Sequence, residues 1–226
     1  MKKRAATTGR STVRIEALGA FGDGLAADAG GPIAVPFTAP GDLVDIETSR
    51  RGRHRSARLR RVVEAGPDRV EPGCRHFERC GGCRLQHISD HAYAAWKDGL
   101  WRTALVRAGI PEKALAQAHI HPLRRVAPKS RRRARLAVHR GRVGFRQEKS
   151  HRIEPIESCL VLHPKLLSVA RALASTFDKV RLSASEISLS LLDDGVEAVI
   201  HADGALDYSA LQDLADLAES LDLARL

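Results

Sequence analysis

The sequence predicts an α+β chain, with a small antiparallel β-barrel first, a cysteine loop next and a mixed α/β region after it. Three observations carry that expectation. Short runs of period-two alternation, separated by glycine and proline turns, fill residues 11–66. Three of the four cysteines crowd into residues 67–90, where no regular period is visible. From residue 91 to 226, amphipathic helical stretches alternate with strand pairs. The chain has 226 residues, 43% of them apolar and 28% charged, enough to bury a core and unlike a disordered composition.

Residues 1–10 read as a basic tail, opening Met-Lys-Lys-Arg. No apolar stretch follows of the kind a secretory signal carries. Nowhere does an apolar run approach the roughly 18 residues that suggest a membrane span. A monomeric cytoplasmic protein without membrane contact is the expectation.

In the barrel region, Thr12-Val13-Arg14-Ile15-Glu16 and Leu43-Val44-Asp45-Ile46-Glu47 alternate apolar with polar. Gly19, Gly22, Gly24, Gly30-Gly31-Pro32 and Pro40-Gly41-Asp42 supply turn chemistry between them. Several short strands in so little chain suggest a small barrel of the oligonucleotide-binding kind. The run Gly19-Ala20-Phe21-Gly22-Asp23-Gly24 is not a dinucleotide loop, because a phosphate-binding loop opens a helix and this one leads into another strand pattern.

Charge is unevenly spread. The net charge is +10, but Leu160–Leu226 holds 5 basic and 11 acidic residues, leaving +16 on Met1–Cys159. Seven arginines lie between Arg50 and Arg61. A solvated strand and loop explains such a run, yet the basic background and the choice of arginine over lysine favour a phosphate-tracking patch. Arg50, Arg51 and Arg53 are candidate RNA contacts, together with Arg131, Arg132 and Arg133 further on.

Beyond the cysteine loop, Ser89 and Asp90 are candidate caps of a helix whose Tyr93, Trp96, Leu100, Ala104 and Leu105 share a face. Gly109 and Pro111 stop it. Trp96 and Trp101 are expected in the core. Arg131–Val138 and Val143–Arg146 form a basic hairpin around Gly141, and Pro164–Phe177 a helix with proline in its first turn. Ile187–Leu192 and Val196–Ile200 form a second hairpin around Asp194-Gly195. Ser209–Leu223 is a helix with Leu211, Leu214, Ala218 and Leu221 on one face, expected to need a further domain to cover it.

The cysteines read Cys74-x5-Cys80-x2-Cys83, with Cys159 a further 76 positions on. A disulfide reading needs one bridge inside the loop and one to Cys159, in a chain without an export signal. A four-thiolate metal site fits better, with Gly81 and Gly82 letting the backbone wrap close and offer N–H groups to sulfur. Spacing alone does not choose between tetrahedral zinc and an iron–sulfur cluster. His76 and His87 are expected at the surface or behind the ligands, and His119 and His121 without a role.

Cys74-x5-Cys80-Gly81-Gly82-Cys83-Arg84-Leu85-Gln86-His87 resembles the iron–sulfur motif of the RNA (uracil-5-)-methyltransferases, in particular their 23S ribosomal RNA branch. Gly22-Asp23-Gly24-Leu25-Ala26, with Val35-Pro36 and Pro40-Gly41-Asp42, looks like that family's N-terminal TRAM domain, an RNA-binding barrel. Val143-Gly144-Phe145-Arg146, Ser150-His151 and Cys159 are similar to the part of its central domain that brings the fourth cluster ligand. The resemblance covers roughly residues 11–165. Arg84 departs from the glutamine often found there and would add charge near the cluster.

The resemblance implies a [4Fe–4S] cluster on Cys74, Cys80, Cys83 and Cys159, and RNA, first of all 23S rRNA, as partner. It also implies a C-terminal Rossmann-like domain that binds S-adenosylmethionine and supplies a nucleophilic cysteine for methylation at uridine C5. Neither maps onto this sequence. The expectation is therefore the recognition half of such an enzyme, inactive alone, with a TRAM-like barrel (11–66), a cysteine loop (67–90) and an incomplete central domain (91–226). The competing expectation is a stand-alone RNA-binding iron–sulfur protein. A low-potential electron carrier fits poorly with so basic a surface.

Overall fold

The computed structural model describes residues 7–52, 54–139, 142–180, 184–202 and 204–226. The chain divides into two compact units: residues 1–72 with 84–124, and residues 73–83 with 125–226.

The first unit is built on two three-stranded antiparallel sheets. One pairs β1 (Thr7–Arg14), β5 (Leu43–Arg51) and β6 (His54–Glu64) in the order β1-β5-β6. The other joins β2 (Ala17–Leu18), β3 (Gly24–Asp28) and β4 (Gly31–Val35). The alternation seen in the sequence decides which side chains go inside. Val13, Ile15, Ala26, Ile33, Val35, Val44 and Ile46 form one apolar core drawn from both sheets. The glycine-rich stretch at 19–24 turns from β2 into β3 and opens no helix, with the Gly22 N–H donating to Gly19 O at 2.9 Å. β1 starts at Thr7, so Arg10 sits in a strand and not in a tail.

Helix α1 (Asp90–Arg107) starts where its caps predict, with Ser89 Oγ accepting from the Ala92 N–H at 3.2 Å. Gly109, at φ 93°, ends it. The expectation of a core face fails here, because α1 has no buried residue. Trp96 is half-buried, donates its indole N–H to Gly19 O at 3.0 Å and lies under Lys97 Nζ. Trp101 donates to Asp98 at 3.0 Å and stacks with Arg102. A short helix α2 (Glu112–Gln117) follows and buries Leu115.

The second unit is a six-stranded sheet in the order β12-β11-β10-β7-β8-β9. Its strands are β7 (Arg133–His139), β8 (Arg142–Arg146), β9 (Ile153–Pro155), β10 (Ala184–Leu191), β11 (Val196–Ala202) and β12 (Leu223–Arg225). Both expected hairpins form, β7 with β8 and β10 with β11, and the second turn closes through the Leu192 N–H to Gly195 O at 2.8 Å. Helix α3 (Pro164–Val180) buries Leu166, Val169, Ala170, Leu173 and Phe177, the i, i+3, i+4, i+7 spacing of one helical stripe. Each such side chain removed from water stabilises the unit by about 1.5–3 kcal/mol for the larger apolar types.

Helix α4 (Tyr208–Ser220) does not wait for another domain. It buries Leu214 in the same core, and Leu217, Leu221 and Leu223 pack against it. The stripe is displaced from the expected one, since Leu211 is 51% exposed. The chain then forms β12, which pairs parallel to β11 and was not foreseen from three residues.

Candidate metal centre and nucleic-acid interface

All four cysteines belong to the second unit. The loop from Cys74 to Cys83 is made of tight turns, with the Phe77 N–H donating to Cys74 O at 3.0 Å and the Cys80 N–H to His76 O at 2.8 Å. It is laid against the end of β8. Cys80 pairs with Gln147 in an antiparallel bridge, and the Gly81 N–H donates to Arg146 O at 2.9 Å. A β-carbon at Gly81 would come within 2.7 Å of that same carbonyl, so only glycine lets the loop approach so closely.

Cys159 comes from the connection between β9 and α3. The two stretches meet elsewhere as well. Arg75 pairs with Glu157 at 3.1 Å, and Leu160 lies beside Gly73. Burial pushes the Cys80 thiol above its ordinary value, the Gly82 N–H works against that, and the neighbouring thiols of Cys83, Cys159 and Cys74 add to the rise.

The donor set suits a thiolate-bound metal group. All four cysteines are free and half-buried. Backbone N–H groups already point at two of the sulfurs: Gly82 at Cys80 Sγ, and Val161 and Leu162 at Cys159 Sγ, each at 3.4 Å. Such donors stabilise negative charge on sulfur. Among the described residues, however, no three His, Cys, Asp or Glu side chains are grouped so as to hold a single metal ion.

His76 and His87 are not surface residues. His87 is fully buried in the first unit, edge-on to the Phe37 ring at 6.5 Å between centroids. Burial holds its imidazole below the ordinary value, although a hydrogen bond with the Thr38 backbone opposes this. His76 is 5% exposed in the cysteine loop, and its Nδ1 lies 3.0 Å from Glu154 Oε1. Arg79 reaches the same oxygen at 3.2 Å, and Gln147 Nε2 donates to Oε2 at 3.2 Å. Burial raises the Glu154 carboxyl, but these three partners outweigh it and leave it lowered. His76 Nε2 is buried and has no hydrogen-bond partner among the described residues.

The arginines separate into spoken-for and displayed. Arg55 is held by the Asp28 carboxylate, with both side chains mostly buried. Arg60 pairs with Glu47 at 3.4 Å and Arg61 with Asp45 at 2.6 Å. Arg50 and Arg58 are exposed, and Arg50 Nε donates to Gly52 O at 3.3 Å. Arg51 ends β5, and Arg53 lies outside the described residues. In the second unit Arg131, Arg132 and Arg133 are all exposed, but Arg132 is tied to Leu191 O at 3.1 Å and Asp193 at 2.8 Å. Arg84 pairs with Asp23 at 2.7 Å.

The arginine run alone missed Arg10. Sheet register places Arg10, Glu47 and Arg58 in one row across β1, β5 and β6, and Arg10 lines a groove with Thr12, Asp45, Arg60 and Arg61. The alternation of Arg10, Thr12 and Arg14 was the available signal. No described helix is long and apolar enough to cross a membrane.

No family model matches the chain. Among curated proteins, it is 35% identical over 230 residues to an uncharacterised RNA methyltransferase of Brucella suis, covering 97% of this chain and 51% of that protein. It is 33% identical over 208 residues to a 23S rRNA (uracil(1939)-C(5))-methyltransferase of Halomonas elongata, covering 88% and 42%. Its fold is similar to that of the tRNA (uracil-54, C5)-methyltransferase of Pyrococcus abyssi, solved with S-adenosyl-L-homocysteine, at a TM-score of 0.62, 22% identity and coverage of 89% and 48%. The chain spans about half the length of the relatives it matches.

Proposed function

We propose that this chain is the RNA-recognition and iron–sulfur portion of a 23S rRNA (uracil-5-)-methyltransferase. The observation that carries the reading is a similarity to named RNA methyltransferases that runs along 97% of the chain and includes its cysteine-bearing unit. The whole protein would transfer a methyl group from S-adenosylmethionine to C5 of a uridine. That step would rest on residues outside this chain if, as proposed, its four cysteines hold the metal group.

Cys74, Cys80, Cys83 and Cys159 would hold a [4Fe–4S] cluster. When bound, the cluster would supply a cross-link between the loop and the connection before α3. The N–H groups of Gly82, Val161 and Leu162 would stabilise the charge on sulfur. Arg10, Arg50 and Arg58 in the first unit and Arg131 and Arg133 in the second offer exposed guanidinium groups to RNA phosphates.

The test is anaerobic purification with iron, sulfide and zinc analysis, followed by binding to a 23S rRNA fragment across a salt series. About four irons per chain and an affinity that falls steeply with salt are expected. Stoichiometric zinc without iron overturns the cluster, and salt-independent or absent RNA binding overturns the recognition role.

A further inference from the structure

Resting on the iron–sulfur reading above, we propose that Glu154 and His76 form a positioning pair. It presets the cysteine loop for its metal group and leaves His76 Nε2 as a polar contact to that group. His76 lies inside the loop, between Cys74 and Cys80, while Glu154 lies on β9, 78 positions away. One carboxylate gathers His76 and Arg79 from the loop and Gln147 from the stretch between β8 and β9. Gln147 is also the residue bridged to Cys80. Glu154 therefore ties together both flanks of Cys80, and its side chain is only 9% exposed.

A loop that needed only to be held down would be served as well by apolar side chains, since burying a carboxylate and an imidazole is costly. The polar pair is explained if the ring must point one way. Nδ1 against a carboxylate fixes the plane and orientation of the imidazole, the device by which proteins orient groups around a metal. It leaves Nε2 buried and without a partner among the described residues. Buried polar atoms in native proteins find partners, and on the iron–sulfur reading the group held by Cys74 and Cys80, which flank His76 in the sequence, would supply one.

The experiment uses the full chain, reconstituted anaerobically with iron and sulfide, alongside Glu154→Ala, Glu154→Gln and His76→Phe. The readouts are iron and sulfide per chain, the lifetime of the visible cluster absorption under a chelator, the reduction potential and the melting temperature of the metal-free chain. Glu154→Ala should weaken cluster retention about 10- to 100-fold. Glu154→Gln, whose amide oxygen still accepts from the ring, should restore most of it. His76→Phe should shorten the lifetime and shift the potential, and in both Glu154→Ala and His76→Phe the loss of cluster retention should exceed what any fall in the metal-free melting temperature accounts for. Parent-like lifetime and potential in Glu154→Ala and His76→Phe overturn the inference, as does a loss that tracks a lowered metal-free melting temperature and is not restored by Glu154→Gln. A parent chain that takes up no iron sinks the iron–sulfur reading and this inference with it, whereas a loaded parent with indifferent variants sinks the inference alone.

Discussion

The carboxylate of Asp42, which has no exposed surface, accepts hydrogen bonds from both Nε and Nη2 of Arg69, 27 positions along the chain. The N–H groups of Ala39 and Gly66 donate to it as well, at 2.7 and 2.8 Å, and Arg69 Nη2 also reaches Phe37 O. A buried charge so fully satisfied pins the turn after β4 and the strand-to-loop exit at residues 66–69 to one point.

Removing one partner strands the other. Asp42→Asn should destabilise the first unit by about 3–5 kcal/mol, the usual consequence of breaking a buried ion pair from one side. Burial raises the Asp42 carboxyl, but Arg69 and the two N–H groups prevail and leave it below 3.8. Its contribution is therefore complete above that pH and disappears as pH falls through the lower folded value. Urea melts should show a flatter acid limb in the variant. A parent-like midpoint at neutral pH would mean the network contributes nothing.

His87 gives a second pH-dependent term, further towards neutrality. Its imidazole is held below 6.5 in the folded chain by burial. The unfolded chain then binds the proton more readily, so stability is full above 6.5 and declines as pH falls towards the folded value. His87→Gln should remove that decline on the acid side of 6.5 while leaving the Asp42 limb in place. If the parent's melting temperature shows no slope in this window, His87 titrates normally and the prediction fails.

What the sequence disclosed was local. The caps at Ser89, the helix Pro164–Phe177 and the Asp194-Gly195 turn follow from a few neighbouring residues, and the structure has all of them. The misreadings share a different cause. Trp96 lies on an apolar-looking face, but its N–H is satisfied by Gly19, 77 positions away, and no packed layer buries the helix. His76 is expected at the surface or behind the ligands, and only the pairing with Glu154, 78 positions on, puts it inside. Leu211 and Leu214 are equally apolar in sequence, and only packing against α3 and the rest of the second unit's core decides that Leu214 is inside and Leu211 is not.

Gly144 is a case in which backbone contact leaves no room to adjust. A β-carbon there would lie 2.0 Å from Glu154 O and 2.8 Å from its carbonyl carbon. Main chain cannot swing aside as a long side chain can. Gly144→Ala should therefore cost about 1–3 kcal/mol or more and push β9 away from β8, carrying Glu154 with it. Thermal melts should show the loss of stability, and metal analysis should show weaker loading than in a control alanine at the exposed Arg146 position. Full stability would mean that the β8–β9 pair opens at little cost.

Two arginines of one run should answer differently to the same substitution. Arg58 is exposed, in register with a Glu47 that Arg60 engages, whereas Arg55 is enclosed with Asp28. Arg58→Ala should leave the melting temperature alone and reduce the slope of log affinity against log salt by about 0.7–0.9, the share of one phosphate contact. Arg55→Ala should keep the slope and lose about 1–3 kcal/mol of stability, because it leaves the Asp28 carboxylate without its partner. The opposite pairing of outcomes would mean that Arg55 leaves Asp28 to meet the RNA, and that the ion pair is a resting contact of the free chain.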